Sequence, residues 1–217
     1  LKDKPNVLVK KMFLSACSST LVAIGVCLFL QSRLGSDPIT VWLDGVRHSL
    51  RTSIGNASLI NNSIMLSLAL IFARKYIYVG TVMGSLIVGP MMNLFDPIIV
   101  NIFSANPTLY MRFVMMAIGQ VILCMGTGLN LSLKFGFGTT DSIIVTICDH
   151  LKLKYRNMKI IFDLGYTIAG ILLGGVFGIG SVVGVLTGGP MIAFFMRFIN
   201  GSLIRKLKLN EFAESVG

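Results

Sequence analysis

Residues 79–92, VGTVMGSLIVGPMM, read almost the same as residues 179–192, IGSVVGVLTGGPMI, and both stretches are apolar enough to lie in a bilayer. Seven of the fourteen positions are identical: Gly80/Gly180, Val82/Val182, Gly84/Gly184, Leu86/Leu186, Gly89/Gly189, Pro90/Pro190 and Met91/Met191. Upstream, residues 22–35 lie over 123–136, pairing Gly25 with Gly126, Leu28 with Leu129, Leu30 with Leu131, Arg33 with Lys134 and Gly35 with Gly136. A half-chain repeat in an apolar protein is the pattern of a transporter built from two related bundles with its site between them. The expected units are residues 1–103, residues 104–200 and a cytoplasmic tail at 201–217.

Composition supports the membrane reading. Of 217 residues, 54% are hydrophobic and 13% charged, with a mean hydropathy of +0.80, which excludes an ordinary water-soluble domain. The net charge of +10 comes from short basic clusters between apolar stretches, where it orients the chain against anionic lipid. No basic, aromatic-interleaved soluble segment exists, so no nucleic-acid partner is expected. Cys17, Cys27, Cys124 and Cys148 lack metal-ligand spacing and read as small packing residues; neither metal nor cofactor is expected. Lysines before an apolar run, followed by Leu14-Ser15-Ala16-Cys17, imitate a lipoprotein signal. Only Met12 and Phe13 separate Lys11 from that box, short of the roughly 7–15 apolar residues a signal needs, so the run reads as the first membrane helix.

Apolar windows near 12–31, 54–73, 79–103, 110–133, 157–177 and 179–199 are each about long enough to cross the hydrocarbon core as a helix. Two further segments, 38–50 and 139–151, are too short to cross and too apolar for simple loops, and read as re-entrant or interfacial half-helices. Were they full spans, the repeats would be parallel; about 13 residues falls short of the roughly 17 required. With the N-terminus inside, fifteen basic residues face the cytoplasm: Lys2, Lys4, Lys10, Lys11, Arg74, Lys75, Lys134, Lys152, Lys154, Arg156, Lys159, Arg197, Arg205, Lys206 and Lys208. Only four, Arg33, Arg47, Arg51 and Arg112, face outward. The expected fold is therefore an all-α polytopic membrane protein of two inverted-topology repeats. Each repeat has three transmembrane helices and a half-helix, and both termini are cytoplasmic.

The half-helices open with Gly35, Ser36, Asp37 and Thr40 in one copy and Gly138, Thr139, Thr140 and Asp141 in the other. Free N–H groups at such ends can bind an anionic part of a substrate, while the hydroxyls and Asp37 can equally cap their own helices. Gly89-Pro90 and Gly189-Pro190 should kink or unwind the third and sixth spans and free carbonyls for a solute. Asp96-Pro97 is expected to end the third span. Asp163 lies inside the fifth span, with Lys159 one turn earlier as a salt-bridge or coupling partner. Its counterpart in the first copy is Asn62, beside Asn61. Trp42, Tyr76, Tyr78 and Tyr110 sit near span ends, as an aromatic belt would. No nucleophile–base pair, H-E-x-x-H site or paired acids on one helix is present, so no enzyme is expected.

The doubled pattern of Leu34-Gly35 and Phe135-Gly136 turns, a short helix, a long span and a glycine-rich span ending at Pro90 or Pro190 resembles the YczE/YyaS/YitT group of bacterial membrane proteins, closest to the YczE-like branch. The likeness covers about 190 residues. It implies a permease of the bacterial cytoplasmic (inner) membrane. The family's frequent company of pyridoxal-phosphate-binding regulators implies a vitamin- or amino-acid-related solute. An acid of the family is matched by Asp163; Thr40 stands where the family carries another acid, and Arg156 where it carries glycine.

The resulting expectation is a transporter for a small polar or anionic solute working by alternating access. Its partners are that solute and the lipid bilayer, with assembly as a homodimer or within a larger transporter complex left open. A substrate-binding membrane subunit of a larger importer and a non-transporting scaffold or signalling protein are the other readings. Cysteine labelling from either side of the membrane should place the turns at 53–56 and 152–156 on opposite faces; finding both on one face overturns the inverted arrangement.

Overall fold

The computed structural model describes residues 5–103, 107–133, 135–136, 138–153 and 155–201. Lys2, Lys4, Lys134, Lys154, Arg205, Lys206 and Lys208 of the charge asymmetry, and the tail from 202 onward, lie outside the described residues. Eight α-helices and no strand are present among the described residues: α1 (Pro5–Gln31), α2 (Pro38–Leu50), α3 (Ile54–Phe72), α4 (Val79–Phe103), α5 (Leu109–Ser132), α6 (Thr139–Leu151), α7 (Tyr155–Leu172) and α8 (Ile179–Ile199). A 3-10 turn, Arg74–Tyr76, joins α3 to α4.

Among the described residues, five helices, α1, α3, α4, α5 and α8, are long and apolar enough to cross a membrane. The sixth expected span is α7, which ends at Leu172 instead of 177 because Gly174, at φ +89°, turns the chain out of the helix. Its 18 residues include Arg156, Lys159 and Asp163, too many charges for it to stand with the other five. The helix is two-faced. Ile160, Ile161, Leu164, Ile168 and Leu172 are exposed, whereas Lys159, Asp163, Tyr166 and Gly170 follow the inward side at helical spacing.

Two expectations about proline are corrected. Asp96-Pro97 does not end the third span: α4 runs on to Phe103, and Asp96 is held inside the bundle by Gln31 Nε2 at 2.7 Å. Nor do Gly89-Pro90 and Gly189-Pro190 interrupt α4 and α8, both of which continue through them. Each proline removes one N–H, and both helices continue through that loss with the proline on their exposed face.

The core is built on α1, whose Ala23, Cys27 and Phe29 are fully buried. It runs antiparallel to α5. Ser18 Oγ donates to the Gly126 carbonyl, while Phe29 lies beside Gly119, eleven residues further along α1 and seven back along α5. Backbones approach so closely here that a Cβ on Gly25 would lie 2.5 Å from Leu123 N, and one on Gly126 2.9 Å from Val22 N. Small residues permit such contact where lipid offers no hydrophobic drive for association. On one flank α4 runs parallel to α1, with Cys27 Sγ on the Met92 carbonyl. On the other, α8 runs parallel to α5, with Gln120 Nε2 reaching Thr187 Oγ1 at 3.2 Å. α3 packs antiparallel on α4 through Asn62 to the Ser85 carbonyl and Asn93 to Asn56.

The short helices pack across the chain, α2 on α7 and α6 on α3. Their approach segments are tied the same way. Gly180 N donates to the Leu34 carbonyl at 2.7 Å, and Gly80 N to the Phe135 carbonyl at 3.1 Å. Gly35 (φ +92°) then seats against Gly178 and Ser181, and Gly136 (φ +137°) against Thr81 and Tyr78. Both short helices end in a left-handed residue, Arg51 and Lys152. Outside the bundle the surface is apolar, as at Ile71, Leu172 and Leu186, in keeping with a lipid surround.

Gly25→Leu should separate α1 from α5 and destabilise the detergent-solubilised protein by about 1–3 kcal/mol. Gly189→Ala, where a Cβ meets nothing within 4 Å, should stay within about 0.5 kcal/mol of the parent. Equal melting temperatures for the two variants would remove the α1–α5 contact from its central position.

Candidate functional site

Asp37 caps α2. Its carboxylate accepts from Thr40 Oγ1 at 2.6 Å and Thr40 N at 3.4 Å, and Pro38 at the first helical position needs no acceptor. Ser36 is buried behind the turn and does not cap. α6 starts differently: its N-cap is Gly138, which has no side chain to offer, and Thr139 and Thr140 lie inside the first turn with Asp141. Ser142 Oγ donates back to the Gly138 carbonyl at 3.0 Å.

Both helix starts border one cavity of about 260 Å³. Asp37, Thr40, Gly138, Thr139, Thr140 and Asp141 form one part of its wall, and Asn61 and Asn62 of α3 face them. Further polar groups come from Ser19, Ser58, Thr81, Ser85, Thr127 and Asn130, while Val22, Val26, Leu43, Val88, Met92 and Leu123 supply the apolar lining. The amides are held in fixed orientation. Trp42 Nε1 donates to Asn61 Oδ1 at 3.0 Å, and Asn62 Nδ2 donates to the Ser85 carbonyl at 3.2 Å and Ser58 Oγ at 3.4 Å. The buried Ser19 hydroxyl has no hydrogen-bond partner among the described residues. A buried hydroxyl normally has one.

Behind Asp141 lies an ion cluster. Lys159 Nζ is 3.0 Å from Asp163 Oδ1 and 3.9 Å from Asp141 Oδ1, and Tyr155 OH donates to Asp141 Oδ1 at 2.9 Å. Asp163 thus reaches the cavity wall only through Lys159. Thr140 Oγ1 and Tyr166 OH, 3.4 Å apart, join α6 to α7 on the same side.

The other sequence-derived candidates do not line the cavity. Gly35 is spent on packing against α8, and Gly89 packs against Leu59 and Gly55 of α3. Pro90, Gly189 and Pro190 are exposed on the outer surface. The two helices stay wound at Gly-Pro. Trp42, expected in an aromatic belt, is turned into the bundle against Asn61 and Tyr166, its ring centroid 6.2 Å from that of Tyr166.

Several residues escaped the sequence reading. Thr81 and Ser85, four apart on α4, and Thr127 and Asn130, three apart on α5, form polar stripes on otherwise apolar helices; that helical spacing was the available signal. Asp44 gave none. It is 1% exposed, accepts from Val176 N at 3.0 Å and pairs with Arg47 at 2.9 Å, tying α2 to the connection between α7 and α8. The same seam is closed by glycines: a Cβ on Gly45 would lie 2.5 Å from the Gly170 carbonyl, and one on Gly175 2.2 Å from that of Val41. On α6 and α3 the positions corresponding to Val41, Asp44, Gly45 and Gly170 hold Ser142, Val145, Thr146 and Ala69. There the polar tie is at the exposed end, where Tyr76 OH donates to the Asp149 carboxylate, a hydrogen bond that raises the phenol above its ordinary value.

The chain matches the model of a family of unknown function (DUF6198) over residues 9–197 and belongs to that family. It is 28% identical to an uncharacterized protein of Haemophilus influenzae over 83% of this chain and 80% of the relative. To the uncharacterized protein YyaS of Bacillus subtilis it is 24% identical, over 86% of this chain and 92% of the relative. To the uncharacterized membrane protein YczE of the same organism it is 21% identical, over 80% of each. The resemblance to the YczE/YyaS group therefore holds. No solved structure matches the chain.

In a double-mutant cycle on Lys159→Met and Asp163→Asn, the pair should be less destabilising than the sum of the two single changes, by about 0.5–1 kcal/mol. Strict additivity would mean that the ion pair contributes nothing to stability.

Proposed function

We propose that this member of the DUF6198 family is a permease of the bacterial cytoplasmic membrane that moves a small polar solute through the cavity between the two short helices. The observation that carries the proposal is the meeting of both short-helix starts, Asp37–Thr40 and Gly138–Asp141, on one cavity of mixed polar and apolar lining inside a bundle whose exterior is apolar. A protein with only a scaffolding role has no use for carboxylates and amides gathered on one cavity amid membrane helices, where polar groups are costly. Catalysis is not part of the proposal; solute and lipid are its only partners.

In this reading the two halves are inverted repeats, three spans and a half-helix each, with both termini in the cytoplasm. The antiparallel contact of the sequence-equivalent helices α1 and α5, centred between Gly25 and Gly126, supports it. So do the exchanged hydrogen bonds of Gly80 with Phe135 and Gly180 with Leu34, which join corresponding positions in both directions. Alternating access follows as a rocking of one repeat against the other. The tight seam of α2 on α7, set against the cavity-lined flank of α6 and α3, gives the two sides of the site unequal closure.

Protein reconstituted in vesicles should take up at least one component of a labelled mixture of small polar metabolites. Gly84→Phe, whose side chain enters the cavity from a position where a Cβ has only Ser19 Oγ near it, at 3.8 Å, should reduce that uptake by about tenfold or more. No uptake by the parent, or undiminished uptake by the variant, overturns the proposal.

A further inference from the structure

We infer that the solute held in this cavity carries an ammonium group, with Asp37 as its counter-ion; the inference rests on the permease reading and gives it a substrate class. The chain has 19 Lys and Arg against nine Asp and Glu, yet among the described residues the cavity wall contains two carboxylates, Asp37 and Asp141, and no Lys, Arg or His. The charge of the protein and the charge of its cavity are opposite in sign.

The two carboxylates differ in what they already hold. Asp141 has Tyr155 OH and Lys159 Nζ on Oδ1. Asp37 has only Thr40 and, among the described residues, no ion pair. Among the described residues one lysine, Lys159, lies among Asp141, Asp163 and, more remotely, Asp37, so their carboxylates outnumber their cations. A carboxylate facing a cavity inside a membrane bundle calls for a cation, and the solute is the group that can bring one.

The start of α2 is poorly suited to an anion in its place. Pro38 has no N–H, the N–H of Thr40 is taken by Asp37, and the partial positive charge of the helix end already faces that carboxylate. An anionic solute there would meet a like charge, which excludes it.

The rest of the wall completes the fit. Asn62 spends its Nδ2 donors on Ser58 and Ser85, leaving Oδ1 as an acceptor for an N–H donor. The Ser19 hydroxyl, 1% exposed and unpartnered among the described residues, stands in the same wall as a polar group awaiting a ligand. Val22, Val26 and Met92 provide an apolar surface for a short hydrocarbon portion. At about 260 Å³ the cavity falls below the roughly 300–1,000 Å³ of drug-sized sites, which limits the solute to a small amine.

The single tryptophan, Trp42, bonds directly to Asn61 of the wall, so its fluorescence reports occupancy of the cavity. The detergent-solubilised chain is titrated with butylammonium, butanol and butyrate, probes of one size and three charges. Butylammonium should give a saturable change, and Asp37→Asn, which keeps an acceptor for the Thr40 N–H and so preserves the cap, should weaken it by at least about tenfold. The inference is overturned if butanol or butyrate binds as tightly as the amine, if Asp37→Asn binds it unchanged, or if no amine effect appears up to about 50 mM. Butyrate binding that Gly84→Phe abolishes would remove the charge class and leave the permease intact, whereas loss of both probe binding and vesicle uptake would remove the two together.

Discussion

Everything in this bundle depends on how two breaks in the helical backbone are made tolerable inside a membrane. After α1 and after α5 the chain leaves its helix, crosses a glycine and starts a short helix, and each break exposes carbonyls that lipid cannot satisfy. Leu34 and Phe135 supply those carbonyls, and the N–H groups at the start of the far glycine-rich helices, Gly180 and Gly80, receive them. Glycine is needed at these meetings because a Cβ on Gly180 would lie 2.4 Å from the Gly35 carbonyl, and one on Gly80 2.4 Å from that of Phe135. The first turn of each long glycine-rich helix therefore has an unusual task. Its orphan donors cap a different part of the chain.

From that arrangement the position of the cavity follows. Tying the approach segment of each short helix to the opposite half carries its first turn to the centre of the bundle, beside α1 and α5. Because α1 and α5 touch through Gly25 and Gly126, no large side chain fills the ground between the two starts. The space that remains is walled by hydroxyls, amides and two carboxylates. A slightly larger residue at the α1–α5 contact would move both short helices at once, coupling packing to the shape of the site.

The two seams outside the cavity are built from different materials, and their chemistry explains the difference in closure. α2 meets α7 through Gly45, Gly170 and Gly175, with Asp44 fastened to Val176 N and Arg47. α6 meets α3 with Thr146 and Ala69 where glycines stand on the other seam, and its polar fastening is the peripheral contact of Tyr76 with Asp149. Close glycine contact with a buried carboxylate tie is costly to open; a seam of larger residues held at its exposed end is less so. Lys159, between Asp141 and Asp163, sits where α6 and α7 adjoin and would feel any movement there.

Much of this was legible in the residues. Periodic apolar length placed the helices, the spacing of the two glycine-proline stretches exposed the repeat, and the starts at Pro38 and Thr139 were readable because capping and turn chemistry are local. Local chemistry could not say which way a side chain faces. Gly-Pro looked like an opening into the site, yet the helices stay wound and Pro90, Gly189 and Pro190 face outward, a direction set by how α4 and α8 are turned against the bundle. Trp42 looked like a belt residue and Asp44 gave no signal, and each is a tie whose partner lies 19 or 132 residues away. By itself the sequence determined the helices, their repeat and the membrane as solvent, since each is a property of neighbouring residues and their period. Which polar groups share a cavity, and which carboxylate there lacks an ion pair among the described residues, was decided only by tertiary packing, since those depend on distances between segments that no local pattern encodes.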